Sequence, residues 1–450
     1  MNLNEFTVNM EPQNVVHARK GGNSTMSKKA LWIKNASQVV TAKENKGPLA
    51  GKEMRNLTVI ENGSVWIEGD QIVTVGTTKE LEQKYERERN DATIIDASHK
   101  IVTPGLIDPH THAVYAGSRE EEFYRRFERP TSYLDLLEEG GGIHSTVVQT
   151  QEEYAYRIYQ QSYERLTSFL AHGVTTVEVK SGYGLELETE LKQLQIAKML
   201  NDTHPVDVIS TFLGAHVVPL AYKRDTQKYV NLLIHEMIPQ ISSYKLAAFN
   251  DAVCLPNAFS FQQCQEILEA GKSHGMLPKI HADPFEYCRG AELAAEVGAI
   301  SADYLLYASD EGLKKLAEKR IVATLLPGNS LFVGMKWPDA RKMIDLGVPV
   351  TLSTDCNPGS SPTTSQQFVM NLACMNMNMS PEEVLVATTI NAAHAINQGD
   401  KIGSIEAGKQ ADLAIFNVSS YRTLQYQYGL NHIDSVVKKG EVVVENGKVL

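Results

Sequence analysis

Ile101-Val102-Thr103-Pro104-Gly105-Leu106-Ile107-Asp108-Pro109-His110-Thr111-His112 is a mostly apolar run that ends in two histidines. A short apolar run bounded by turn residues reads as a strand buried on both faces, the kind found in parallel sheets. Residues i and i+2 of a strand point to one side, so His110 and His112 can face a single ion. Taken alone, the pair reads more readily as two surface histidines beside a proline. The pattern recurs, however. With 101–108 counted first, further β-rich runs fall at 174–180, 207–214, 247–254, 278–282, 300–306, 321–326 and 348–354, with helical stretches between them. Eight strands alternating with helices is the count of a (β/α)8 TIM barrel, and the polar residues cluster at the C-terminal ends of the runs, where a barrel has its mouth. The barrel is expected over 101–402.

The two ends of the chain read differently. Ala30-Leu31-Trp32-Ile33 is a short strand, and Ser64 to Gly76 reads as a hairpin turning at Gly69-Asp70. Asp412–Phe416, Ser435–Val437 and Glu441–Val444 have the same character. Residues 29–100 plus 403–450 are therefore expected to pair into one small β-sandwich domain, an α/β barrel being inserted between its halves. Residues 1–28 are polar with no apolar core, so they are not a secretory signal. They read as a disordered leader or as an extension from an upstream start, with Met26 the true start.

Composition narrows the classes. A formal charge of -11 argues against a nucleic-acid or anionic-membrane surface. The five cysteines show no CxxC pair, which reads as reduced thiols in a cytoplasmic protein. No apolar run reaches about 18 residues, so no membrane span is expected.

His281 ends the fifth run and Asp355 the eighth, placing both at the mouth with His110 and His112. Three imidazoles and a carboxylate suit one divalent metal, Zn2+ or Fe2+, with a position left for water. Asp355 is positioned both to bind the metal and to accept a proton. A second metal needs a bridging group, and Lys180 and Lys245 sit at the wrong strands for it. Lys180 is expected to pair with a carboxylate near the mouth. His216 ends the third run, where it either polarises a substrate carbonyl or is a hydrogen-bonded structural histidine.

Arg119 lies just past the first run. Its planar fork suits a carboxylate-bearing substrate, the alternative being an ion pair within Glu120–Glu122. Tyr183 sits in a glycine-flanked loop that lets backbone approach a ligand. Gly140-Gly141-Gly142-Ile143 reads as a lid or an anion-binding turn. Asn357, Gly359 and Ser360 bring an amide, backbone N–H groups and a hydroxyl beside Asp355.

The stretches PGLIDPHTH, GSRE, GGGI, VEVKSGYGLELETELKQL, STFLGAHVVP, KIHAD, LLPG, TDCNPGSSP and TINAAHAI together resemble the imidazolonepropionase family of the amidohydrolase superfamily, from about residue 29 to 450. The resemblance implies a barrel with a β-sandwich, a homodimer, and hydrolytic ring opening of 4-imidazolone-5-propanoate to N-formimidoyl-L-glutamate in histidine degradation. It implies metal ligands at His110, His112, His281 and Asp355, substrate contacts at Arg119, Tyr183 and His216, and product contacts at Asn357, Gly359 and Ser360.

The chain departs from the family pattern at the mouth. Pro284 stands where the family carries Glu or Gln after His-Ala-Asp, Tyr304 where it carries His, and Asn329-Ser330 where it carries Thr-Thr. Proline offers no hydrogen-bonding side chain and no N–H, and a tyrosine hydroxyl with a pKa near ~10 is a poor proton acceptor at neutral pH. Three readings follow: an enzyme with the family's reaction, with Asp355 handling the proton; a paralogous hydrolase for a different anionic cyclic amide; and a non-catalytic metal- or ligand-binding protein.

Overall fold

In the computed structural model, residues 30–42, 47–128, 141–255 and 258–450 are described. The expected leader, 1–28, lies outside them. Among the described residues seventeen strands form two sheets. The outer sheet contains β1 (Ala30–Ala42), β2 (Leu57–Glu68), β3 (Gln71–Thr77), β4 (Thr93–Asp96), β5 (Ile101–Pro104), β14 (Leu413–Phe416), β15 (Ile433–Lys438), β16 (Glu441–Glu445) and β17 (Lys448–Val449). Its order is β17-β16-β15-β14-β5-β1-β2-β3, with β4 on β1. The two ends of the chain meet where β14 runs antiparallel to β5. The β2–β3 hairpin turns at Gly69-Asp70, with Glu68 opposite Gln71.

Alternation along these strands builds two cores. Ile33, Val39, Val65, Ile67, Val102, Leu413, Ile415 and Val437 pack together. Ile101, Ala414, Phe416 and Val436 face the other way and join the core of the barrel.

The barrel strands are β6 (Leu106–Thr111), β7 (Val174–Lys180), β8 (Asp207–Ala215), β9 (Phe249–Ala252), β10 (Leu277–Ala282), β11 (Ser301–Tyr304), β12 (Val322–Leu325) and β13 (Val350–Leu352). They lie side by side in sequence order, and each neighbouring pair is parallel. The seam between β13 and β6 is tied differently. His112 N donates to Cys356 O over 2.9 Å, Ser353 Oγ to His110 O over 2.7 Å, and the Gln366 amide to Ile107 O and Leu352 O.

The run 101–108, expected as one barrel strand, is divided. Ile101–Pro104 belongs to the outer sheet, and the barrel starts at Leu106. The chain changes sheets at Gly105, whose N–H donates to Asp412 O. A Cβ at this glycine would lie 2.4 Å from the Thr175 side chain, so the crossing needs glycine.

Local sequence explains the covering helices. The helix Phe261–Ser273 starts with a Ser260/Gln263 capping box. It buries Cys264, Ile267, Leu268 and Gly271 along one stripe, and full burial of Ile267 or Leu268 contributes roughly 1.5–3 kcal/mol each. At Gly271 a Cβ would meet the Asn250 amide nitrogen at 2.4 Å, so the helix rests directly on β9. Among the described residues no helix is long and apolar enough to cross a membrane.

Candidate active site

The β6 pleat turns His110 and His112 into the mouth, where His281 arrives from β10 and Asp355 from just beyond β13. All four are buried. One ligand atom from each of the three histidines lies within 4.8 Å of the others. Asp355 Oδ1 is 3.6 Å from His110 Nε2 and 3.7 Å from His112 Nε2.

Second contacts fix the imidazole tautomers. His110 Nδ1 is 2.5 Å from Asp303 Oδ2, and His281 Nδ1 is 3.2 Å from Asp251 Oδ1. A carboxylate accepts, so both Nδ1 atoms carry the proton and both Nε2 atoms present lone pairs. Those Nε2 atoms, His112 Nδ1 and Asp355 Oδ1 are buried without a hydrogen-bond partner. Unpaired buried polar atoms are costly, and His110 Nε2, His281 Nε2 and Asp355 Oδ1, grouped with a nitrogen of His112, fit a divalent cation. Burial, reinforced at His110 by Lys180 and at His112 by His216, lowers both imidazoles well below their ordinary range, so they stay neutral.

Lys180 pairs with carboxylates, as expected. Its ammonium lies 2.8 Å from Glu178, 2.9 Å from Asp251 and 3.6 Å from Asp303. Burial opposes the charge, but these neighbours outweigh it and push its pKa above the ordinary lysine value. Asp303 is likewise held well below the usual carboxylate range: burial raises it, and Lys279, His110 and Lys180 outweigh that. At Asp355 burial prevails and lifts the carboxyl to about 6.

The cleft above the imidazoles is lined by Arg119, Tyr183, His216, Tyr304, Asn357 and Ser360, with Pro284 and Asn329 among its other walls. Arg119 also forms the local ion pair, its Nε 2.9 Å and one terminal nitrogen 2.7 Å from Glu122 Oε2. Gly142 N and Ser145 Oγ donate to the other Glu122 oxygen, each at 3.0 Å. The described part of the glycine run therefore works as an anion-binding turn whose anion is Glu122, while Gly140 lies outside the described residues. Gly359 passes under Arg119, and a Cβ there would fall 1.8 Å from the guanidinium.

The Tyr183 loop is wrapped around the buried Glu190 carboxylate, which accepts from Gly182, Gly184 and Leu185 N at 3.0, 2.9 and 2.8 Å. Tyr183 thereby sits tilted beside His112 and His216, with centroids 5.6 and 5.4 Å away. His216 Nδ1 donates to Gly182 O at 2.9 Å, and burial lowers its pKa to about 3. Polarising a carbonyl would need a donor at Nε2. In this tautomer Nε2 is an acceptor, able to receive an N–H. Asn357 Oδ1 accepts from Gly359 N at 2.9 Å and Ser360 N at 2.7 Å, shaping the turn that follows Asp355.

Strand ends at the mouth carry left-handed residues: Asp283 at φ 50°, Tyr304 at 76° and Asp355 at 53°. Non-glycine residues pay roughly 1–2 kcal/mol for this region, and such outliers gather at functional sites. Asp283 is held there by accepting Cys288, Gly290 and Ala291 N–H groups. The loop that follows buries Pro284 and leaves Glu286 exposed.

Comparison with known proteins agrees with this geometry. An imidazolonepropionase from a Geobacillus species is 55% identical over 420 residues, 93% of this chain and 99% of the relative. One from Brevibacillus brevis is 53% identical over 94% of this chain and 99% of its own length. The chain belongs to the imidazolonepropionase family. The profile of the wider amidohydrolase family matches residues 264–443. Solved structures share the fold: an adenosine deaminase from Xanthomonas campestris with bound zinc superposes with a TM-score of 0.69 at 16% identity, covering 93% of this chain and 94% of that one. Escherichia coli guanine deaminase gives 0.67 at 14% identity, over 93% and 99%.

In this imidazolonepropionase-family chain the clustered imidazoles and Asp355 are held by residues that the motifs alone do not expose. The sequence motifs give no role to Asp251, Asp303 and Asn329, although Asp251 and Asp303 lie in strand-end runs, whereas Glu122 is the ion-pair partner that the sequence offers Arg119. Asn329 was noted only as a departure.

Proposed function

We propose that this chain opens the ring of 4-imidazolone-5-propanoate with water to give N-formimidoyl-L-glutamate, the family's step in histidine degradation. The observation that carries the reading is the grouping of His110, His112, His281 and Asp355, with His110 Nε2, His281 Nε2 and Asp355 Oδ1 buried and unpartnered, below a cleft that Arg119 lines. These four residues would hold a single Zn2+ or Fe2+. Such an ion, when bound, supplies the positive charge that makes water a nucleophile near neutral pH.

The remaining work falls to side chains. The Arg119 guanidinium attracts the propionate carboxylate, and Glu122 keeps its fork in plane. His216 Nε2 accepts a ring N–H, and Tyr183 forms one wall. Asn357, Gly359 and Ser360 surround the product's polar end. An Asp355 carboxylate oxygen takes a proton from the attacking water and returns it to the ring nitrogen as the C–N bond breaks, general base and then general acid.

The changes at Pro284 and Tyr304 favour a second reading, a different anionic cyclic amide with the same acidic arm. Both residues line the cleft beside the imidazoles, while Arg119 and the Asn357 turn are retained. Hydrolysis of freshly generated 4-imidazolone-5-propanoate by metal-loaded protein, with Asp355→Ala as control, separates the two. Turnover at ordinary enzyme rates, ~1–10³ s⁻¹, is expected. A metal-loaded protein no faster than its control would overturn the first reading in favour of the second.

A further inference from the structure

Asn329 lies on the short helix Pro327–Val333 and is almost fully buried. Its amide nitrogen donates to Asp355 Oδ2 at 2.8 Å and to Ser360 Oγ at 2.9 Å. An NH2 group has two hydrogens, and both are used. A flipped amide would set oxygen against a carboxylate, so the orientation is determined.

The consequence appears on the other oxygen of Asp355. With Oδ2 held, Oδ1 is left unpartnered toward His110 and His112. The Tyr304 hydroxyl also reaches Oδ2, but at 3.4 Å, too long to orient a carboxylate firmly. Ser360 Oγ, the second partner of Asn329, is bonded to the Asn357 side chain as well. Close approach is built in at Gly328, where a Cβ would lie 2.7 Å from Ser361 Oγ. One amide thus joins the metal-facing carboxylate to the turn that borders the substrate.

We propose that Asn329 is a positioning residue for the metal site: it holds Asp355 by Oδ2 so that Oδ1 is presented to the imidazoles, and it ties that orientation to the Ser360 turn. The inference rests on Asp355 being a metal ligand, as read above.

Chelator competition for Zn2+ on the full chain, without substrate, tests it. Asn329→Leu keeps the branched shape and removes the donors; its Zn2+ affinity is expected to fall on the order of 10-fold, as for other residues that orient ligands. In the loaded enzyme kcat should fall by a similar factor while KM moves less than about threefold. Asn329→Thr, whose hydroxyl can donate to Asp355, should recover most of both. If Asn329→Leu lowers the melting temperature of the metal-free protein, Asn329→Ala takes its place. The proposal is overturned by a folded Leu or Ala variant that binds Zn2+ like wild type, or by a Thr variant no better than Leu. Asp355→Ala is the reference: weakened binding there beside an unaffected Asn329→Leu rejects this inference alone. Wild-type binding in Asp355→Ala rejects the ligand set and this inference with it.

Discussion

The Lys180 ammonium lies 2.9 Å from the Asp251 carboxylate, and both side chains are wholly buried at the centre of the barrel. Asp251 holds His281, and Asp303, 3.6 Å from the same ammonium, holds His110. One lysine on β7 therefore faces both carboxylates that orient imidazoles from β10 and β6, with Lys279 also acting on Asp303. Breaking a buried ion pair by removing one partner leaves uncompensated charge and costs about 3–5 kcal/mol. Lys180→Met is expected to lower the stability of the metal-free protein by that order, and saturating Zn2+ should restore part of it by supplying positive charge nearby. Thermal melting with and without Zn2+ checks this. A metal-free variant melting with wild type would show that the lysine is not balancing these carboxylates.

Gly359 supports Arg119 by lacking a Cβ, since one placed there would lie 1.8 Å from the guanidinium. Gly359→Ala should push the fork away from the cleft while Glu122 retains it on the other side. The expected result is a rise in KM of about tenfold or more, the order of one lost charge-assisted bond, with kcat changed much less and the melting temperature preserved. Unchanged KM would remove Arg119 from substrate binding.

The barrel is legible because eight apolar runs end in polar residues, and the clustering of His110 with His112 because strand parity places them on one side. The division at Gly105 was not legible: Ile101–Pro104 and Leu106–Asp108 are equally apolar, and only pairing with β14 separates them. Asp251 and Asp303 were hard to assign because a carboxylate next to a ligand histidine in space may be 193 residues away in sequence, as Asp303 is from His110. Asn329 was visible as an unusual residue, but its partner Asp355 could be found only once the helix Pro327–Val333 was seen to lean over the mouth.

His204 is a neutral structural histidine remote from the imidazole cluster. Val206 N donates to its Nδ1 at 3.1 Å, so Nε2 carries the proton and faces Thr167 Oγ1 at 3.3 Å. Burial lowers its pKa to about 4. The unfolded chain, with an ordinary value near ~6.5, binds the proton more readily. Its contribution to stability is thus complete above about pH 6.5 and is lost as pH falls toward 4, by up to roughly 1.4 kcal/mol per pH unit. His204→Gln should flatten the fall of melting temperature between these limits. An unaltered pH slope would assign the acid sensitivity to other groups.

Tyr304 and Pro284 decide how far the ring-facing wall has changed. The Tyr304 hydroxyl is 3.4 Å from Asp355 Oδ2, so Tyr304→Phe should cost no more than about fivefold in kcat/KM, within the ~1 kcal/mol of a weak bond. Pro284 is buried in the cleft wall, and its missing N–H is not needed there, because Asp283 already takes the neighbouring backbone donors. With Asp355 handling the proton, neither residue need take part in proton transfer on the family substrate. The double variant Pro284→Glu, Tyr304→His should therefore hydrolyse 4-imidazolone-5-propanoate within about tenfold of wild type, less than ~1.4 kcal/mol in the barrier. A much larger gain, measured on folded and metal-loaded protein, would instead mean that this wall is built for a different ring.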